Sequence, residues 1–203
     1  MPHLLGVIIA IIFAITFRSI LIKKETASYV ISLVISLGLY FLGLEVQGTT
    51  ALESFIPTGL FVVVMYTGLL SSKHKLRSIR RQLSIIAFIL IVPHVLIYLL
   101  DFLKVLFTSV NILTLVGSLI GLLLVIIMIP LFVTSFIKVR KNMKTASWKK
   151  LHRFSYLAYL LIYVHIVFVN LSSGDIGHII ISTMVYGLYF VLRIIKFAKN
   201  REV

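Results

Sequence analysis

The sequence predicts an all-α, polytopic membrane helix bundle, and three observations carry that prediction. Of its 203 residues, 60% are hydrophobic and only 13% are charged, with a mean hydropathy of +1.12. A soluble fold must cover its surface with polar groups, whereas a membrane fold leaves apolar side chains facing lipid. The apolar residues gather in seven runs near the roughly 20 residues that a helix needs to cross a hydrocarbon core about 30 Å thick. Lysine and arginine fall almost entirely between those runs.

The runs are 3–22, 29–44, 53–70, 83–103, 110–137, 151–171 and 178–195. The second is short. The fifth is long enough to tilt, or to begin with an interfacial stretch near Thr108, Ser109 and Asn111. Residues 1–22 lack a basic start and a small-residue cleavage site, which predicts a retained helix rather than a signal peptide. Lys23 and Lys24 follow the first run and KHKLRSIRR (73–81) the third. A third basic stretch, from Lys138 to Arg153, separates the fifth and sixth, and Lys196, Lys199 and Arg201 follow the seventh. Threading seven spans puts all of these on one side, which the positive-inside rule makes the cytoplasm. The N-terminus is then outside and the C-terminus inside. Arg18 can snorkel to the cytoplasmic face, and only Lys104 falls outside.

The net charge of +14 is therefore the signature of cytoplasmic loops, not of a nucleic-acid surface. Cysteine is absent, which excludes disulfides, thiolate metal sites, Cys-ligated iron–sulfur clusters and covalently attached c-type haem. No GxGxxG or Walker pattern occurs. The tail after Arg193 is about ten residues, so no soluble nucleotide-binding domain is expected to follow.

Chemistry is concentrated in the six histidines. His3 and His178 fall at the outer ends of spans and His74 in a basic loop, positions that tolerate polar groups. His94 and His165 lie deep in apolar runs, where an ionisable side chain is a functional candidate by default. The fourth and sixth spans both start at the cytoplasmic face. At 1.5 Å per residue His94 stands about 17 Å from Leu83 and His165 about 21 Å from Leu151, so the two share one depth. Two imidazoles at one level can hold a haem iron from both sides, which suits electron transfer better than oxygen binding. Pro93 cannot donate to the carbonyl of Ile89 and is expected to kink its helix just before His94. Ala87, Ala158, Gly117 and Gly121 either leave room for a cofactor or allow close helix packing.

His152 sits near the cytoplasmic edge, 13 residues before His165, about 20 Å along a helix. Thirteen steps of about 100° leave the two side chains some 140° apart, so a bend or interruption near Leu151 is needed to aim both at one stack. At its level on the fourth span stand Arg80 and Arg81 rather than a histidine. With Lys149, Lys150 and Arg153 these can pair with haem propionates or with a flavin or nucleotide phosphate, or serve only as a positive-inside anchor.

The run SWKKLHRFSYLAYLLIYVHIVFV (147–169), with a second histidine 13 residues after LHR, resembles the ferric reductase-like transmembrane domain. So does RRQLSIIAFILIVPHVLIY (80–98), an Arg-Arg start with a mid-helix histidine. The likeness spans roughly 29–196, making 1–28 an extra N-terminal helix and basic loop, and 29–203 a six-helix haem-binding domain. Within that superfamily the chain is most similar to the haem-binding membrane subunit of bacterial methionine sulfoxide reductase, which shares its size and lacks a fused nucleotide-binding domain. The resemblance implies haem b, one or two per chain, between these helices in a bacterial plasma membrane. It matches His94 and His165 to the outer haem pair and His152 to the inner ligand, with Arg80 standing where two-haem members have a histidine.

The expected function is a transmembrane electron-transfer subunit. A cytoplasmic flavin reductase or membrane quinol donates, FMN, FAD or quinone can serve at the cytoplasmic side, and an outward-facing redox protein accepts. Competing readings are a direct ferric or cupric metalloreductase and, from another class, a small transporter with intramembrane histidines.

Overall fold

A computed structural model describes residues 2–45, 50–71, 73–105 and 111–199. Among these residues every regular element is helical. In chain order the elements are α1 (Pro2–Thr16), α2 (Arg18–Lys23), α3 (Glu25–Glu45) and α4 (Thr50–Thr67). A 3-10 turn (Lys75–Ile79) leads into α5 (Arg80–Val105), followed by α6 (Ile112–Val133). The short α7 (Ile137–Lys141) and α8 (Thr145–His152) precede α9 (Phe154–Ser173) and α10 (Ile176–Lys199). Five of the helical stretches are long and apolar enough to cross a membrane, and Leu4–Thr16 and Ser54–Thr67 are shorter apolar helices. The chain is therefore a multi-pass membrane helix bundle, with each expected apolar run realised as helix. The interfacial start proposed at Thr108 and Ser109 lies outside the described residues.

Helix ends follow local chemistry. Asn111 accepts from the Leu113 amide at 2.9 Å, starting α6 as a side-chain cap. Gly174, at φ 73°, closes α9 in the left-handed region that only glycine enters without strain. Asp175 then accepts from the His178 amide at 3.0 Å at the start of α10 and also pairs with the His178 ring. Those bonds hold its carboxyl below the usual carboxylate range.

The main packing partners are not sequence neighbours. The most extensive contacts join α1 to α4, α6 to α9, α4 to α5 and α3 to α5. On α1, Gly6, Ala10 and Ala14 recur every four residues and are buried. This small-residue stripe lets the backbones of α1 and α4 touch. The N-terminal helix is thus seated closely on the bundle.

All the basic ends meet at one end of the bundle. Arg18 Nε donates to the Lys75 carbonyl at 2.9 Å, and Arg81 pairs with Glu25. Lys196 Nζ donates to the Leu69 carbonyl at 2.7 Å, satisfying a carbonyl just past the end of α4.

Pro93 leaves α5 helical on both sides of it. Ser36 Oγ of α3 donates to the Ile89 carbonyl at 2.8 Å, the acceptor that Pro93 cannot serve. The substitution Ser36→Ala is expected to orphan that carbonyl in an apolar setting and to lower stability by about 1–3 kcal/mol. Thermal unfolding in detergent beside the Ser28→Ala control, whose hydroxyl only back-bonds to the Lys24 carbonyl of its own chain segment, checks this.

Candidate functional site: a histidine pair above a basic cavity

Helices α5 and α9 carry the intramembrane histidines and make almost no direct backbone contact with each other. They are held apart by α4 and α6. Across the gap the rings of His94 and His165 face one another, with centroids 6.5 Å apart and planes at 87°. Two metal–imidazole bonds of about 2 Å, with roughly 1 Å from each nitrogen to its ring centre, span about 6 Å. The pair therefore has the separation that a single metal centre between two imidazoles requires.

Each ring has its own supports. His165 Nδ1 lies 2.8 Å from the Gly117 carbonyl of α6. A carbonyl only accepts, so Nδ1 carries the proton and the lone pair of the neutral ring is on Nε2. Ligating histidines use this same arrangement to fix tautomer and ring direction. A Cβ on Gly121 would stand 3.1 Å from the His165 ring, so Gly121 makes room for that ring, whereas a Cβ on Gly117 would meet Val169 and Phe168 at 3.3 and 3.4 Å and its absence serves the packing of α6 on α9. His94 packs on Tyr98, with ring centres 4.5 Å apart. Its Nδ1 is buried and has no hydrogen-bond partner among the described residues. An orphaned imidazole nitrogen in an apolar bundle is costly unless something else engages the ring. These features fit the haem implied by the sequence resemblance: two imidazoles at the separation one metal between them needs, one with its tautomer set, on helices that stand apart.

Of the four small residues singled out in the sequence, the two alanines play different parts. Ala87 is buried in a core with Leu60, Leu83 and Leu90 and serves packing. Ala158 lines a cavity of about 630 Å³ between α4, α5, α6, α8 and α9. That cavity reaches Phe88 on α5 and Ile162 on α9, and His165 lies three residues past Ile162.

The remaining predicted site residues meet in this cavity. Arg80, Arg81, His152 and Arg153 all line it, together with Arg77, Arg140, Lys149 and Trp148. The interruption sought between His152 and His165 is present: α8 ends at His152 and α9 starts at Phe154. His152 Nε2 nevertheless stands 3.0 Å from Thr134 Oγ1, whose own proton goes to the Pro130 carbonyl at 2.6 Å. The hydroxyl must then accept, so Nε2 is protonated. The ring lies against Trp148 at 4.3 Å, and Trp148 Nε1 donates to the Thr134 carbonyl at 3.1 Å. With Nε2 engaged and arginine on the opposing helix, the residues here do not fit a second haem held by two imidazoles. Thr134 carried no signal in the sequence, because its partner comes from a different helix.

The chain is thus a multi-pass membrane helix bundle that brings two half-buried histidines together from two separated helices. Residues 47–163 match the family described as ferric reductase like transmembrane component. The chain belongs to that family. The matched region contains Arg80, Arg81, His94, His152 and Arg153 and stops two residues short of His165. The chain is also 32% identical over 157 residues to an uncharacterized protein of Treponema pallidum (strain Nichols). That alignment covers 71% of this chain and 44% of the relative, so the chain spans less than half the relative's length. No solved structure matches the chain.

Proposed function

We propose that this protein is a haem b-binding transmembrane electron-transfer subunit of a bacterial plasma membrane, in which His94 and His165 would hold the iron of one haem. The observation that carries the reading is the opposed histidine pair, 6.5 Å between ring centres, in a chain of this family. When bound, haem supplies an iron that gains and releases single electrons. The chain's own groups do the rest. Gly117 orients His165, Gly121 admits its ring, and the apolar walls of α5 and α9 exclude water. Held by two imidazoles, a haem would supply electron transfer in preference to oxygen chemistry.

In this reading seven spans place the N-terminus outside and the basic ends in the cytoplasm. A cytoplasmic flavin reductase or a membrane quinol is the donor, with FMN, FAD or quinone at the cytoplasmic side. An outward-facing redox protein is the acceptor, as for the haem-binding subunit of bacterial methionine sulfoxide reductase. Direct reduction of ferric or cupric ions is the second redox reading. The outer loops are short and carry few potential metal ligands (Glu45, Glu53, Asp101, Asp175 and His178), which favours a protein acceptor.

The test is a dithionite-reduced minus air-oxidised absorbance spectrum of the detergent-purified chain, with haem quantified per chain. A b-type spectrum at one haem per chain is expected. A colourless protein after expression with ample haem would remove the reading and leave transport through intramembrane histidines as the alternative. The exposed lysines of α7 and the following turn, Lys138, Lys141 and Lys144, are positioned to steer an acidic donor. Its reduction rate is accordingly expected to fall several-fold between low and physiological salt as the Debye length shortens to about 8 Å. Stopped-flow reduction across an ionic-strength series reads this, and a flat profile would remove the steering role.

A further inference from the structure

The cavity below the histidine pair holds more positive charge than the protein neutralises. Arg77, Arg80, Arg81, Arg140, Lys149 and Arg153 line it, and among the described residues no carboxylate does. Arg81 is paired with Glu25 outside the cavity wall. Arg77 donates to the Leu70 carbonyl at 3.0 Å, and Arg140 lies over the Trp148 ring at 4.3 Å. Arg80 is half-buried, has no acidic partner among the described residues, and feels the charges of Arg77 and Arg193. Six cations thus ring one space, four of them exposed at its mouth and Arg80 and Arg81 half-buried, and the half-buried Arg80 is the one for which an anion entering the space would offset the cost of burial most.

The rest of the lining is apolar. Phe61, Val64, Phe88, Phe132 and Ile162 form the deeper wall, with Phe88 stacked on Phe132 at 4.3 Å. The volume, about 630 Å³, is that of a small-molecule site (about 300–1,000 Å³).

We infer that this cavity is a binding site for a phosphate-bearing amphiphile, with Arg80, Arg140 and Arg153 on the phosphate and the aromatic wall around its apolar body. Phosphate is the anion that answers several guanidinium forks at once, by paired donors and more than one negative charge. A carboxylate would balance only one of them. His152, tied to Thr134 and laid on Trp148, is part of the wall of this site and not an iron ligand. The phosphate can come from a soluble monoester entering from the cytoplasm or from the headgroup of an anionic lipid, since basic pockets between helices on the cytoplasmic side accept such headgroups. The inference stands whether or not the outer pair carries haem, so the two fail separately.

Trp148 is the single tryptophan of the chain and lines the cavity, which makes its fluorescence a local reporter. The full chain in detergent would be titrated with inorganic phosphate, phenyl phosphate, short-chain phosphatidic acid and short-chain phosphatidylcholine. A saturable change in Trp148 emission is expected with phenyl phosphate or phosphatidic acid, at concentrations at least tenfold below those for inorganic phosphate. Whichever of the two binds more tightly identifies the source. Arg80→Gln and, at the exposed rim, Arg153→Gln are each expected to weaken binding about tenfold, and Lys138→Gln to leave it unchanged. The inference is overturned if no phosphate-bearing probe gives saturation, if phosphatidylcholine binds as tightly, or if both arginine variants bind like wild type. A second haem per chain lost in His152→Ala would overturn it as well.

Discussion

Replacing His94 or His165 with alanine is expected to lower haem per chain at least tenfold, since even the partners that only orient metal ligands are worth about 10–100-fold in affinity. The two variants are expected to differ in stability. His165 donates to the Gly117 carbonyl, so its removal also deletes a buried hydrogen bond, worth about 1 kcal/mol. His94 Nδ1 has no partner among the described residues, so the apoprotein of His94→Ala should melt close to the wild-type apoprotein. The measurement pairs haem content by pyridine haemochrome with thermal unfolding followed by circular dichroism. His74→Ala, in the basic loop, serves as the control and keeps its haem. Full haem occupancy in both variants would show that the ligand assignment is wrong.

The largest effect on folding is expected at the crossing of α1 and α4. A Cβ on Gly59 would stand 2.3 Å from the Gly6 carbonyl oxygen, and one on Gly6 would stand 2.2 Å from the Phe55 oxygen. Both obstacles are backbone, so no rotamer change relieves the clash and the helices must separate. Gly59→Ala is expected to cost about 1–3 kcal/mol, the range for overpacking a tight interface, and Gly59→Leu more. Gly38→Ala and Gly187→Ala meet nothing within 4 Å and should be neutral or slightly stabilising, because alanine is the better helix former. Equal unfolding temperatures for Gly59→Ala and Gly38→Ala would contradict the contact.

The helices were legible because each apolar run is long enough to be read singly, without knowing its neighbours. The histidine pair was legible for the same reason: depth along a helix follows from counting residues, and both counts start from basic ends that the charge pattern marks. Partners were not. Ser36 looks like any serine in an apolar run until α3 is laid against the proline-broken hydrogen bond of α5. Thr134 gives no hint that it engages His152 until α6 and α8 meet. Gly6, Ala10 and Ala14 form a visible stripe, yet nothing in the sequence says that α4 receives it. The parts of the two alanines, one in the core and one in the cavity wall, depend likewise on which face each helix turns inward, and in lipid that choice is not set by hydrophobicity.

The preference of each helix for a distant partner sets an order of assembly. Ser36 must wait for Ile89, 53 residues later, and the Gly117 carbonyl for His165, 48 residues later. At roughly 5–20 residues per second of synthesis, each wait lasts several seconds. During that time α3 and then α6 stand in the bilayer without their main neighbour. The histidine pair is among the last features completed, since its second imidazole arrives with α9. Under the proposed function, haem loading is a late event in biogenesis, made on a nearly finished bundle, and a cell short of haem is expected to accumulate an assembled but empty chain rather than one arrested halfway through the membrane.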